Sequence, residues 1–304
     1  MTTPERGSSA ASIRHRLRNE LRARGEDVSL GLQRYASERF LYRLGRSVHR
    51  ERFVLKGATL FAIWGTTYRP TRDLDFTAYG DSAENAVIAA LREVCATPDD
   101  VDALQFDVDS ITTEPIRDGS EYPGTRIRIN ATLGTSRIPI QLDLGFGNAI
   151  VPGPEEVEYR SLLGDPPPRI LAYPQESVVA EKLHAMVTLG ERNSRFKDFY
   201  DMHTMASAFR FERSTLLAAV RATFVRRATP FSDEVPVALR DNFYADAARA
   251  EQWRAYVTRS GMTGVSQDFT SVGERVIGFL QPLWENLITG TDPLGDWSPG
   301  EGWR

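Results

Sequence analysis

Cysteine is nearly absent from this chain, and long apolar runs are missing altogether. The single cysteine, Cys95, cannot form an intramolecular disulfide, so a reducing cytoplasm is the expected compartment. No stretch of eighteen apolar residues occurs, and a membrane span is therefore not expected. The first twenty residues lack the apolar core of a secretory signal. The four histidines show no paired metal-ligand spacing, so no zinc site is predicted.

Lysine is almost as scarce. Of the 37 basic residues only three are lysines, namely Lys56, Lys182 and Lys197. The ammonium group is a compact point charge that the guanidinium group of arginine does not replace. The three lysines are therefore candidates for positions where arginine would not serve.

Positive charge is concentrated near the start of the chain. Residues 1–50 contain eleven arginines and five acidic residues, a local charge of +6, so the remainder carries −10 of the net charge of −4. A basic segment on an acidic body suits nucleic acid or an acidic partner protein. A solvated helix face would explain the same pattern.

A pair of carboxylates marks the first candidate site. Asp73 and Asp75 alternate with Leu74 and Phe76, and alternate residues of a strand face the same side. Two adjacent carboxylates repel each other unless a cation lies between them, and a divalent ion with oxygen ligands is the usual solution. The alternative is an ordinary pair of surface or turn carboxylates, because such short motifs are common.

A glycine turn precedes this pair. A short apolar run ends at Lys56, Gly57 turns the chain, and Ala58 begins an apolar helical segment that ends at Gly65. Such a turn directs backbone N–H groups at an anion such as a phosphate. The stretch 53–77 therefore predicts a phosphate cradle beside a metal-binding carboxylate pair.

Asp143 is a candidate third ligand. It lies between Leu142 and Leu144 in an alternating segment, 137–146, that predicts a strand. A carboxylate in such a strand is costly unless it is paired or bound to a metal. The alternative is an aspartate at the strand end that faces solvent.

The pattern changes from strands to helices along the chain. Predicted strands and helices alternate before residue 165, with a hairpin turn at 134–136, an edge strand at 157–163 and a helix capped by Ser82. Six prolines between residues 152 and 174 mark the passage to the second half. That half is predicted to be helical at 175–189, 196–208, 214–227, 241–259 and 272–288, with a loose tail at 291–304. We therefore divide the chain into domains 1–165 and 166–304.

A second charged cluster lies in the helical half. Lys182 projects from one predicted helix, Arg192 and Arg195 lie in the following loop, and Lys197 and Asp198 begin the next helix. Four cations within sixteen residues suit a polyphosphate. A salt-bridged helical hairpin is the alternative.

Taken together, these segments resemble one protein family. K-G-A-T-L-F, R-x-T-R-D-L-D-F, I-Q-L-D-L-G-F, E-K-L-H-A-M and R-F-K-D-F-Y-D resemble motifs of the AbiEii/MenT nucleotidyltransferase toxins, the toxin halves of type IV abortive-infection and toxin–antitoxin pairs. The resemblance covers residues 50–205. It implies an α/β (α+β) fold in which a nucleotidyltransferase-fold N-terminal domain with a mixed sheet precedes a helical C-terminal domain that contributes to the nucleotide site.

The resemblance also assigns residues. It places Asp73 and Asp75 on the metal, places Lys182 on the nucleotide phosphates and makes Asp198 a required acid. Thr71 matches a position that is phosphorylated in some members, whereas Ala58 stands where many relatives have a second glycine. The predicted nucleotide-binding set is Lys56, Gly57, Ala58, Thr71, Arg72, Lys182, Arg192, Arg195 and Lys197, and the predicted metal set is Asp73, Asp75 and Asp143.

The activity implied is transfer of a nucleotide from an NTP, with Mg²⁺ or Mn²⁺, to an RNA acceptor, the 3′ end of a tRNA. Two metals can stabilise the attacking and leaving oxygens, and cations such as Lys182 can neutralise the departing pyrophosphate. The expected protein is a cytoplasmic monomer with a cognate antitoxin as partner. The alternatives are transfer to a protein or small molecule, and a catalytically silent module that binds nucleic acid or an antitoxin. The intact Asp73, Asp75, Lys182 and Asp198 argue against the silent module.

Overall fold

The computed structural model describes residues 9–66, 71–99, 102–116, 124–262, 264–291 and 295–304. The chain divides into two compact units. The first comprises the described parts of Met1–Ile63, Thr71–Gly147 and Glu155–Ala172. The second comprises those of Trp64–Pro70, Asn148–Pro154 and Tyr173–Arg304.

The first unit is built on a mixed sheet. Within the described residues it has seven strands: β1 (Phe53–Lys56), β2 (Asp73–Ala78), β3 (Gln105–Ile116), β4 (Gly124–Leu133), β5 (Ser136–Phe146), β6 (Glu155–Glu158) and β7 (Arg169–Ala172). Their order is β3-β4-β5-β2-β1-β7-β6. The β2–β5 and β1–β7 pairs are parallel and the others antiparallel. The predicted α/β class with a mixed sheet is confirmed. An edge strand was predicted at 157–163. The edge strand observed there is β6, which begins and ends earlier in the chain and pairs with β7.

Alternation along the central strands separates core from surface. Leu74 and Phe76 of β2 are buried, as are Leu142 and Leu144 of β5 beside them. Burying each such side chain stabilises the fold by about 1.5–3 kcal/mol. The residues between them therefore face the opposite side of the sheet.

Four helices belong to the first unit within the described residues: α1 (Ala10–Arg24), α2 (Val28–Arg46), α3 (Thr59–Ile63) and α4 (Glu84–Ala96). Ser9 and Asp27 cap α1 and α2 through their side chains. The predicted cap of α4 by Ser82 is wrong. Its N-cap is Ala83, which lacks a capping side chain. The Asp81 carboxylate instead accepts the Ala83 N–H at 2.9 Å.

A buried ionic network anchors α2, and the sequence pattern did not reveal it. Arg39 is fully buried and donates to Asp99 at 2.8 Å. Arg43 donates to Asp102 at 3.1 Å, and the Glu38 carboxylate accepts the Leu162 N–H at 2.8 Å. Removing one partner of such a buried pair leaves the other charge buried without compensation, which strongly destabilises the folded state.

Six helices form most of the second unit within the described residues: α5 (Gln175–Leu189), α6 (Phe196–Ala208), α7 (Arg213–Arg226), α8 (Asp241–Ala245), α9 (Ala247–Ser260) and α10 (Phe269–Thr289). The single helix predicted at 241–259 is wrong, because Asp246 interrupts it. The Asp246 side chain accepts the Arg249 N–H and so begins a new helix. In the described parts of the chain, no helix combines the length and apolarity that crossing a bilayer requires.

The C-terminal tail is folded, so the prediction of a loose tail is wrong for residues 295–304. Two short strands, β8 (Trp297–Ser298) and β9 (Gly302–Trp303), form a hairpin. The Trp297 indole donates to the Ala206 carbonyl at 3.0 Å, and Trp303 donates to that of Phe279 at 3.0 Å. Burial of the Trp297 ring and the hydrogen bonds of both indoles fix a segment whose composition resembles a loop. Residues 292–294 of the predicted tail lie outside the described residues.

Candidate functional site

A row of charged residues crosses four strands on one face of the sheet. Lys56 of β1 is the register partner of Asp75 in β2. Asp75 is the partner of Asp143 in β5, and Asp143 is the partner of Arg126 in β4. Asp73 lies two residues before Asp75 on the same face. The sheet thus brings Lys56, Asp75 and Asp143 into one line. Arg126 also belongs to this line, although it was not among the predicted site residues.

Gly57 lies directly against Asp75. Its φ is +77°, a conformation that side chains disfavour. A β-carbon built at Gly57 would overlap the Asp75 carboxylate. The next residue, Ala58, is buried, and the carbonyls of Gly57 and Ala58 accept the N–H groups of Leu60 and Phe61. The turn therefore provides the space in which the Asp75 carboxylate lies, and its role as a phosphate cradle stays a prediction.

Asp143 is held by two neighbouring side chains. Arg126 donates from Nε to Asp143 Oδ1 at 2.9 Å and from Nη2 to Oδ2 at 2.8 Å. Gln141 donates to Oδ1 at 3.2 Å. The hydrogen bond to Asp143 is the main reason that the pKa of Arg126 is raised, and the negative charges of Asp143 and Asp73 add to this effect.

The carboxylate pair has the chemistry that a hard divalent cation requires. Carboxylate oxygens are the preferred ligands of Mg²⁺ and Mn²⁺, and the side chains of Asp73 and Asp75 lie half-buried on one face of β2. The residues present therefore fit a divalent cation at Asp73 and Asp75. Within the described ranges, no three His, Cys, Asp or Glu side chains are grouped as a ready metal site. The three-carboxylate set that includes Asp143 accordingly stays a prediction.

Two further predicted residues lie just before β2. The Thr71 hydroxyl is 3.4 Å from the Asp73 carbonyl, and Arg72 is exposed. Arg69 and Pro70, which complete this motif, lie outside the described residues. Thr71 is therefore close to the carboxylate pair along the chain, and its phosphorylation stays a prediction.

The second cluster is a compact ionic group in the second unit. Lys182 Nζ lies 2.8 Å from Asp198 Oδ1 and 2.7 Å from Asp201 Oδ2. Arg195 Nε lies 2.7 Å from Asp198 Oδ2. Asp198 occupies the first turn of α6, where the helix dipole favours a negative charge. The structure brings Lys182, Arg195 and Asp198 together, whereas Arg192 and Lys197 are exposed nearby in the chain.

The charges in this cluster stabilise one another. Burial alone would raise the pKa of Asp198, but Lys182 and Arg195 outweigh it and lower that pKa to about 2. Burial alone would lower the pKa of Lys182, but Asp198 and Asp201 outweigh it, so the pKa is raised. Both groups are therefore charged at neutral pH. These contacts are those of a salt-bridged hairpin, and a role toward phosphate stays a prediction.

His184, in the E-K-L-H-A-M motif, has a structural environment. Its Nδ1 accepts from Arg227 Nη1 at 3.0 Å, because an arginine can only donate. Its Nε2 must then carry the proton and donate to Thr229 Oγ1 at 2.8 Å. Burial and the charge of Arg227 lower the pKa of His184 to about 4. The imidazole is therefore neutral at neutral pH.

Comparison with known proteins identifies a family. The model described as "Nucleotidyl transferase AbiEii toxin, Type IV TA system" matches residues 39–275. Among solved structures, a Helicobacter pylori protein described as a nucleotidyltransferase aligns at 14% identity with a TM-score of 0.47, over 84% of this chain and 94% of its own. JHP933 from Helicobacter pylori aligns at 13% identity with a TM-score of 0.48, over 82% and 89%. No curated protein matches.

Proposed function

The chain belongs to the AbiEii nucleotidyl transferase toxins of type IV toxin–antitoxin systems, and from this premise we propose that it transfers a nucleotide from an NTP to the 3′ end of a tRNA. The observation that carries the proposal is the carboxylate pair, Asp73 and Asp75, on the open side of a strand whose other side is buried. We further propose that the protein acts in the cytoplasm as a monomer and that a cognate antitoxin restrains it.

The reaction proposed is nucleotidyl transfer. The acceptor hydroxyl oxygen forms a bond to the α-phosphorus and loses its proton to solvent water. The bond from that phosphorus to the bridging oxygen breaks, and pyrophosphate leaves. Mg²⁺ or Mn²⁺, when bound, supplies Lewis-acid stabilisation of the reacting oxygens. Asp73 and Asp75 would hold the cation. Because Gly57 has no side chain, the Asp75 carboxylate can occupy the space beside it.

Positive charge near the carboxylates would bind the triphosphate. Lys56 is the register partner of Asp75, and Arg72 is exposed immediately before β2. A cation that meets the charge of the leaving pyrophosphate lowers the barrier. We propose the same contribution for Lys182, with Asp198 and Asp201 fixing its ammonium group.

The basic helix α1 supports an RNA acceptor over a protein or small molecule. Ile13, Leu17 and Leu21 form its buried side, whereas Arg18 and Arg22 are exposed one turn apart. Arginines at this spacing suit successive phosphates of an RNA backbone. We therefore expect Arg18→Glu/Arg22→Glu to weaken binding of total tRNA by about tenfold or more. Arg254→Glu/Arg259→Glu on α9 makes the same change in charge at exposed positions and serves as the control.

The direct test is incorporation of label. The protein is incubated with each α-labelled NTP and Mg²⁺, and with total tRNA or a protein extract as acceptor. Label on tRNA supports the proposal. Label on protein alone would replace tRNA as the acceptor, and no label from any NTP would favour the silent binding module.

A further inference from the structure

The Arg126–Asp143 pair gives the third carboxylate a role that differs from metal binding. Each oxygen of Asp143 accepts from Arg126, at 2.9 and 2.8 Å. Oδ1 also accepts from Gln141 at 3.2 Å. Two donors on Oδ1 satisfy its hydrogen-bonding capacity. Oδ2 accepts only from Arg126 in the described part of the chain and keeps one acceptor site. The guanidinium nevertheless places a positive charge against both oxygens, which opposes the approach of a metal cation to Asp143.

The guanidinium group, in contrast, keeps one nitrogen for another contact. Nε and Nη2 are used by Asp143, while Nη1 lies 3.8 Å from Glu114 Oε1, beyond hydrogen-bond distance. Glu114 is itself held by Arg128 at 2.8 Å. The Arg126 side chain is 28% exposed, so a solute can reach it.

The position of Arg126 points to an anionic ligand beside the carboxylate pair. Arg126 lies in the same cross-strand row as Asp143 and Asp75. The negative charge of Asp73 also helps to raise the pKa of Arg126. A planar guanidinium fixed on one edge presents its other edge at a defined angle, which suits phosphate oxygens.

We propose that Asp143 is a positioning residue rather than a metal ligand, and that it holds Arg126 so that Nη1 binds a phosphate oxygen of the nucleotide. This inference rests on the proposed nucleotidyl transfer. It differs from the three-carboxylate prediction because it leaves Asp73 and Asp75 as the protein ligands of the cation.

Replacing both Arg126 and Asp143 tests whether Asp143 is a metal ligand or a residue that positions Arg126. The double variant Arg126→Gln/Asp143→Asn leaves the net charge unchanged, so the Coulombic effect on cation binding largely cancels. We expect its Mn²⁺ dissociation constant, measured by calorimetry, to stay within about twofold of the wild-type value, while Asp73→Asn weakens Mn²⁺ binding by about tenfold or more. A double variant as weak as Asp73→Asn would make Asp143 a ligand and overturn the proposal.

Arg126→Lys tests the second half of the proposal. It keeps the charge but loses the two-pronged contact, so we expect the affinity for inorganic tripolyphosphate to fall about fivefold or more. Arg128→Lys makes the same change two residues along β4, where the side chain is half exposed, and should alter that affinity by less than about twofold. Equal affinity in wild type and Arg126→Lys would overturn the assignment even if the double variant failed to fold.

Neither titration requires an acceptor or turnover. The inference can therefore fail while label transfer succeeds, and the proposed activity can fail while Arg126 still binds tripolyphosphate. Circular dichroism of each variant checks that the sheet is intact.

Discussion

Gly57 and Asp75 share one small volume: the space that a side chain at Gly57 would fill is occupied by the Asp75 carboxylate. Gly57 follows directly after β1, and Asp75 lies in the neighbouring strand β2. The last residue of β1, Lys56, pairs with Asp75. Gly57 is thus required both by its positive φ and by the carboxylate beside it.

Gly57→Ala should therefore destabilise the protein and displace Asp75. A positive φ costs a non-glycine residue about 1–2 kcal/mol, and the overlap with Asp75 adds to this cost. Gly80→Ala is the matched control, because its φ is +82° and nothing lies within 4 Å of the added carbon. Chemical denaturation should show a larger loss for Gly57→Ala, together with lower transferase activity. Equal losses would mean that the carboxylate simply moves aside.

Lys182 should be required for both folding and activity. Lys182→Ala leaves Asp198 and Asp201 buried without their shared cation, and we expect a loss of about 3–5 kcal/mol in the free energy of unfolding. Lys182→Arg keeps the charge, but the larger guanidinium cannot occupy the same position between two carboxylates. We therefore expect most of the label incorporation to be lost in Lys182→Arg. Asp198→Ala should fail similarly, because it removes the group that fixes the ammonium.

Lys197→Ala serves as the stability control for these variants. Lys197 is exposed, so its replacement should change the free energy of unfolding by less than about 1 kcal/mol. Near wild-type incorporation by folded Lys182→Arg would show that any cation suffices at this position.

Acid should destabilise the protein in two steps. The pKa of His184 is lowered from 6.5 to about 4 in the folded state, so its contribution is complete above pH 6.5 and is lost as the pH falls toward 4. The loss is about 3 kcal/mol. The pKa of Asp198 is lowered to about 2, so a second loss follows between pH 4 and 2.

His184→Gln should remove much of the first step, because glutamine can donate and accept without titrating. Urea denaturation at pH 7.5 and 4.5 measures the difference in stability for wild type, His184→Gln and the control His15→Gln, which changes an exposed histidine. The same pH dependence in all three proteins would show that His184 is not the titrating group.

Thr71→Glu should inactivate the enzyme. A negative charge two residues before Asp73 would repel the nucleotide phosphates, as a phosphate of about −1.5 to −2 charge would do. Thr71→Val keeps the size of the side chain without the charge and should retain activity if only charge matters. Full activity of Thr71→Glu in the label-incorporation assay would exclude regulation by phosphorylation at this residue.

The alternation of apolar and polar residues was enough to predict which residues of the central strands face the core. Leu74 and Phe76 are buried as their spacing predicts, which places Asp73 and Asp75 on the other side. Local chemistry sets this pattern, because a strand with one buried face repeats every second residue. The strand-to-helix change along the chain was predictable for the same reason.

The Arg126–Asp143 pair depends on a hairpin register that the sequence does not fix. A three-residue turn at 134–136 sets Arg126 opposite Leu144. The observed turn is Gly134–Thr135, since Leu133 pairs with Ser136 and Arg126 with Asp143. Hairpin register depends on loop length, and both loops are compatible with this composition.

The buried ionic groups could not be predicted from local patterns. Arg39 is a charged residue in a helix, and its partner Asp99 is sixty residues away along the chain. The cost of burying its charge is offset by that distant carboxylate, by the carboxylates of Glu38 and Asp102, and by the Pro166 carbonyl. Such pairs become visible only when the chain is folded.

The central claim is that Asp73 and Asp75 support nucleotidyl transfer through their charge. The most direct measurement is incorporation of α-labelled nucleotide into tRNA by wild type, Asp73→Asn, Asp75→Asn and the control Asp109→Asn, whose side chain is 85% exposed on β3. We expect each site variant to keep its melting temperature within a few degrees and to lose about 10²-fold or more of the rate, while Asp109→Asn stays near wild type. Near-normal turnover by a folded Asp73→Asn or Asp75→Asn protein would contradict the account.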